Sequence, residues 1–109
     1  MNFKNRDVIS IHDFSKDELL YILKIAKLME KKPDPKLLKD KILATLFFEP
    51  STRTRLSFVS AMEQLGGQTI GFATSALTSI KKGETLWDTI KMVDSYADVI
   101  TIRHSLEGS

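Results

Sequence analysis

Residues 42–48 read Ile-Leu-Ala-Thr-Leu-Phe-Phe, and this nearly unbroken apolar run constrains the fold more than any other feature of the chain. Side chains alternate between the two faces of a strand, so a strand apolar at successive positions must be covered on both sides. That is the condition of a strand inside a parallel sheet flanked by helices. Glu49-Pro50-Ser51-Thr52 breaks the run abruptly. A membrane span needs about 20 apolar residues, and the purely apolar stretches here extend over only a few.

The segments on either side fit the same scheme. Ser15-Lys16-Asp17-Glu18 has the form of a capping box, in which the Ser15 hydroxyl serves the Glu18 amide and Glu18 reaches back. Leu19, Leu20, Ile22, Leu23, Ala26 and Met29 continue from it as a helical stripe, which Pro33 and Pro35 stop. After the apolar strand, Leu56, Phe58, Val59, Ala61, Met62 and Leu65 mark a second helix ending at Gly66-Gly67. Residues 68–72 predict a second strand, and residues 73–83 a long loop rich in Ser, Thr and Lys. A third helix starts near Thr85-Leu86-Trp87-Asp88, with Leu86, Ile90, Val93 and Tyr96 as its stripe. Residues 98–103 predict a third strand. Alternating helices and strands imply an α/β fold with a parallel, Rossmann-like sheet in three layers. Right-handed crossovers then bring the strand ends to one edge, where such sheets bind ligands.

Composition removes several classes of chemistry. The 109 residues make one small domain spanning 1–109, with 42% apolar and 28% charged residues. The absence of cysteine excludes disulfides, thiolate nucleophiles and Cys-ligated metals, and two histidines, His12 and His104, cannot make a three-histidine metal site. No metal and no cofactor is expected. A net charge of +2 with dispersed basic residues argues against a nucleic-acid partner. The opening Met1-Asn2-Phe3-Lys4-Asn5-Arg6-Asp7 lacks an apolar signal segment, so a soluble cytoplasmic protein without a membrane partner is expected.

The chemistry concentrates in Ser51-Thr52-Arg53-Thr54-Arg55, which leaves a buried strand and opens a helix. Ser51 suits the N-cap, and Pro50 keeps Glu49 extended. Arginines in a first turn oppose the positive end of the helix dipole, and an anion resolves the conflict. Free amides, three hydroxyls and a guanidinium fork together would cradle a phosphate. Residues two apart on a helix point about 200° away from one another. Arg53 is therefore assigned to the ligand and Arg55 to a structural ion pair. Ser79-Ile80-Lys81-Lys82-Gly83-Glu84 fits a mobile lid over an anion, though taken alone it reads rather as a solvated basic loop. Arg103-His104 closes the third strand on the same sheet edge as Ser51.

These residues carry a resemblance. The segment from Phe48 through Ser51-Thr52-Arg53-Thr54-Arg55 to Phe58, with Ala61-Met62 and Leu65-Gly66-Gly67, resembles the carbamoyl-phosphate motif of carbamoyltransferases. Lys82 before Gly83-Glu84, Asp88-Thr89 and Arg103-His104 with Glu107-Gly108 are similar to the aspartate carbamoyltransferases rather than the ornithine ones. Ser105 stands where the family commonly has proline. The resemblance spans the whole chain but about the first third of the family's catalytic chain, and it implies a carbamoyl-phosphate-binding part without the aspartate-binding domain.

The implied reaction moves the carbamoyl group of carbamoyl phosphate to L-aspartate, giving N-carbamoyl-L-aspartate and phosphate in pyrimidine synthesis. By the same resemblance, Ser51, Thr52, Arg53 and Thr54 would hold the phosphate. Thr54 and Arg103 would polarise the carbamoyl oxygen, and Arg53 would steady the leaving group. Ser79 and Lys82, with Lys81 as its rival, would reach in from a neighbouring subunit of a homotrimer, with regulatory chains as an optional partner. The family's carbonyl-polarising histidine would lie beyond Ser109, so little turnover is expected of 109 residues alone. The second reading is a non-catalytic phosphate- or nucleotide-binding α/β module. No Gly-x-Gly-x-x-Gly or Walker pattern supports it.

Overall fold

The computed structural model describes residues 3–49, 51–73 and 86–104. The chain divides into two compact units, residues 1–33 and 34–109.

The first unit holds a single 3-10 turn, Ile11–Asp13, and helix α1, Lys16–Lys31. Both begin with reciprocal caps. Ser10 serves the turn, and Ser15 forms the expected capping box with Glu18, its Oγ accepting from the Glu18 amide at 3.1 Å. The 3-10 turn was not legible as a helix start, because three residues present no periodicity. Arg6 lies against the rings of Phe3 and Phe14, and its guanidinium donates to Glu18 and to the Asp13 carbonyl. The helical stripe forms, yet none of its residues is buried within the described structure.

The Arg6 hydrogen bond, followed by that from the Ser15 amide, holds the Glu18 carboxyl below its ordinary range. A lowered folded-state pKa stabilises fully above the ordinary carboxylate value of about 4.3, and the contribution disappears as pH falls through the lowered value. Amide-exchange protection in the first turn of α1 is therefore expected to fall below about pH 4. Glu18→Gln should flatten that dependence. An unchanged acid profile in the variant would contradict the pairing.

In the second unit, β1 (Ile42–Phe47), α2 (Thr52–Gln64), β2 (Gln68–Ala73), α3 (Leu86–Asp94) and β3 (Val99–Arg103) follow in order. The three strands are parallel, in spatial order β2-β1-β3. β1 is the central strand, and every residue from Leu43 to Phe48 is buried, as the apolar run requires. Its alternate faces meet different helices. Ala44, Leu46 and Phe48 pack with Val93 and Ile90 of α3, and with Phe72 and Ile100 from the flanking strands. Leu43 on the opposite face shares an apolar groove with Phe58, Ala61 and Met62 of α2. Helices on both faces give the three layers. At the amino ends, the Asp98 carboxylate accepts from the Ile42 amide at 2.9 Å, and the Asp98 amide donates to the Ile42 carbonyl at 2.9 Å. These bonds fix the register of β1 and β3.

α2 ends as its glycines predict. The Gly67 amide donates to the Met62 carbonyl at 2.9 Å and the Gly66 amide to Glu63 at 3.1 Å, a Schellman pair. Gly66 has φ +91°, and a β-carbon there would stand 2.3 Å from the Pro35 carbonyl oxygen.

Two details depart from the stripes read in the sequence, and a third was not anticipated. Only Met62 of the α2 stripe is buried, with Leu56 and Phe58 exposed. Tyr96 lies beyond the end of α3 and is exposed. Thr89, a fully helical position, is buried with its hydroxyl unpaired. Among the described residues no helix is long and apolar enough to cross a membrane.

Candidate functional site

The strand order marks the edge at which sheets of this topology bind ligands. The chain leaves β1 for β2 on one side, then returns through α3 to β3 on the other. The winding reverses at β1, so the carboxyl ends of β1 and β3 border a switch-point crevice. In the register, Phe47 of β1 lies opposite Arg103 of β3. One residue later the Phe48 amide donates to the Arg103 carbonyl at 2.8 Å, extending the pairing to the very end of the sheet. The turn into α2 and the side chain of Arg103 thus emerge together.

Arg103 spans this crevice. Its Nε donates to Glu49 Oε1 at 2.7 Å, and its Nη1 donates to Ser51 Oγ at 3.1 Å. Ser51 occupies the N-cap position of α2, but its hydroxyl makes no capping bond. This corrects the simple cap expected from the sequence. The hydroxyl is turned across the crevice to a residue 52 positions away, and its backbone conformation (φ −156°, ψ 70°) permits that. The first turn of α2 consequently has no side-chain cap from Ser51, and first-turn amides have no partners within the helix itself. His104 packs its ring at 5.3 Å from that of Phe48, beside Arg103.

Thr52 and Arg53 are exposed on the first turn, while Ser51, Thr54 and Arg55 are half-buried. The fold therefore brings Ser51, Thr52, Arg53, Thr54 and Arg103 to one end of the sheet. Ser79, Lys81 and Lys82 lie outside the described residues. Among the described residues no group of three His, Asp or Glu side chains converges as a metal site would require.

Two side chains carry more than the sequence disclosed. Glu49, read only as an extended residue before proline, is the carboxylate that holds Arg103. An acidic residue in a strand-to-helix turn was the available signal, but its partner lies 54 positions on. Arg55 was expected in an ion pair, and the described residues hold none for it. Its buried Nε has no hydrogen bond among them. Among the described residues, the three arginines Arg53, Arg55 and Arg103 thus belong to this end of the sheet, where Glu49 is the carboxylate seen to pair with one of them, a local excess of positive charge that suits an anion.

Comparison with known proteins identifies the family. Residues 6–109 match the family described as aspartate/ornithine carbamoyltransferase, carbamoyl-P binding domain. The chain belongs to the aspartate/ornithine carbamoyltransferase family. Within the carbamoyltransferases, it is 58% identical over 113 residues to the aspartate carbamoyltransferase catalytic subunit of Thermococcus onnurineus, covering 100% of this chain and 36% of that one. It is 56% identical over 106 residues to the catalytic subunit of Phocaeicola vulgatus, covering 97% and 34%. Among solved structures, the catalytic subunit of M. jannaschii aspartate transcarbamoylase superposes with a TM-score of 0.81 at 50% identity, over 92% of this chain and 35% of that one. The Trypanosoma cruzi aspartate transcarbamoylase solved with carbamoyl phosphate and aspartate gives 0.83 at 40% identity, over 94% and 35%. The chain thus spans about a third of the length of these carbamoyltransferases. The α/β fold of parallel strands and helices is theirs as well.

Proposed function

We propose that residues 1–109 form the carbamoyl-phosphate-binding part of an aspartate carbamoyltransferase, and that the crevice between β1 and β3 takes the phosphate. The observation that carries this reading is the Arg103–Ser51 bond across the switch point, which joins the two halves of the motif at the helix N-terminus. The relatives that match the whole chain bear the aspartate carbamoyltransferase name, and one solved neighbour holds carbamoyl phosphate and aspartate.

In the proposed reaction the α-amine of L-aspartate attacks the carbamoyl carbon. A C–N bond forms, the C–O bond to phosphorus breaks, and phosphate departs with the electron pair while the amine loses a proton. The carbonyl is already activated by its leaving group, so positioning and charge stabilisation are the main tasks. Ser51, Thr52, Arg53 and Thr54 hold the phosphate through hydroxyls, amides and a guanidinium. Thr54 and Arg103 polarise the carbamoyl oxygen, and Arg53 stabilises the charge growing on the leaving group. Glu49 keeps Arg103 aimed across the crevice. Ser79 and Lys82, with Lys81 as the rival, complete the site from a neighbouring copy in a homotrimer, in a cytoplasmic step of pyrimidine synthesis.

The direct test assays carbamoyl transfer by the full natural chain with L-aspartate and with L-ornithine as acceptors. Transfer to aspartate, at least 100-fold faster than to ornithine, is expected, because a site built to pair a charged acceptor group rejects one that leaves it unpaired. Preference for ornithine would overturn the acceptor assignment. Carbamoyl-phosphate binding without transfer to either would favour the non-catalytic binding module.

A further inference from the structure

Two observations set Arg55 apart from the other arginines of the crevice. Its Nε is buried and unbonded, and among the described residues its guanidinium has no carboxylate partner. It also lies on the inward stripe of α2. Arg55 and Val59 are half-buried, and Met62, seven residues after Arg55, is buried. A guanidinium N–H withdrawn from water without an acceptor is destabilising, more so than a neutral donor. For folding alone, an apolar residue would serve better at the head of an inward stripe. Glu49, in the adjacent turn, is already engaged by Arg103.

Helix geometry indicates where this charge acts. The Arg55 amide donates to the Ser51 carbonyl at 3.0 Å, so Arg55 stands one turn beyond Ser51 on the same side of the helix. Helical side chains lean toward the amino end. That lean carries the Arg55 guanidinium toward the first turn, where the uncapped amides and the Ser51 hydroxyl meet the crevice. A partly buried charge is screened less than one in open solvent.

We infer that Arg55 is a positioning residue of the phosphate site: a half-buried arginine without a counter-charge among the described residues, so that the bound phosphate supplies one. This rests on the phosphate-site reading above and adds to it a residue that acts through charge rather than by contact with the reacting atoms. The inference accounts for an arginine whose Nε is unsatisfied among the described residues and whose neighbours on the stripe are apolar.

Arg55→Met tests it, because methionine keeps an unbranched stem while removing the charge and the donors. In the full natural chain, binding of inorganic phosphate and of carbamoyl phosphate is measured by calorimetry, alongside the urea midpoint of unfolding. The expected result is affinity about tenfold weaker for both ligands, equivalent to ~1.4 kcal/mol, with an unfolding midpoint equal to or above that of the parent. Arg55→Lys, which restores the charge, should recover most of the affinity. A variant with parental affinity, or one in which methionine lowers the midpoint or prevents folding, would overturn the inference in favour of a structural role. Failure of the parent chain itself to bind either ligand would instead refute the phosphate-site reading.

Discussion

Replacing Arg53 by alanine in the full natural chain should lower carbamoyl-transfer turnover by about 10²–10³, while leaving the unfolding midpoint where it was. Arg53 is exposed on the first turn of α2, and among the described residues it has no ion pair, so folding gains little from its guanidinium. Its location at the positive end of the helix dipole is mildly unfavourable in the absence of an anion. The rate loss follows from its proposed role. Charge passes onto the departing phosphate as the C–O bond breaks, and a preorganised donor there is worth about 3 kcal/mol. Steady-state kinetics and a urea titration of the same preparation separate the two effects. A near-native rate would remove Arg53 from the chemistry, and a large fall in stability would show that it serves the fold instead.

The largest effect on folding should come from Gly71→Ala. Gly71 lies in β2 opposite Thr45 of the central strand and has φ +132°. A β-carbon built there would stand 2.1 Å from the Thr45 carbonyl oxygen and 2.7 Å from the Thr45 nitrogen. Both atoms belong to the backbone of a buried strand, so neither can swing aside as a side chain would. The alanine therefore faces an unfavourable φ and a main-chain collision together. Their combined cost is roughly 3 kcal/mol or more, a large fraction of the stability of an ordinary domain. Urea unfolding should show a correspondingly lower midpoint. A variant as stable as its parent would mean that β1 and β2 separate more easily than their register implies.

What was legible in the sequence followed from local physics. Leu43 to Phe48 could be read as a buried parallel strand because both faces of the run are apolar, and burial on both faces is what β1 has. The Ser15–Glu18 box and the Gly66-Gly67 stop could be read because each is completed within a few residues. The turn at Ser51 could be placed at a strand-to-helix junction for the same reason.

Long-range pairings were not legible. Nothing near Ser51 reveals that its hydroxyl serves Arg103 instead of its own helix. Glu49 gives no local sign of its bond to a residue on β3. The need for glycine at position 71 comes from Thr45, which the sequence places 26 residues earlier. The α2 stripe illustrates a different limit. Periodicity identified Leu56 and Phe58 as apolar positions, but both stay exposed because α2 meets the sheet chiefly through Met62 and its neighbours. An apolar period shows that a face favours cover and does not show which element provides it.

The central claim is that the anion site lies where α2 begins beside the end of β3. Nitrogen-15 amide spectra of the full natural chain, recorded while carbamoyl phosphate is added, test it most directly. The account expects saturable shifts concentrated at the amides of Ser51, Thr52, Arg53, Thr54 and Arg103, with the groove-lining residues Leu43, Ala61 and Met62 unmoved. Saturable shifts centred on that groove, or no shifts at Ser51–Arg55 at concentrations that support turnover, would contradict it.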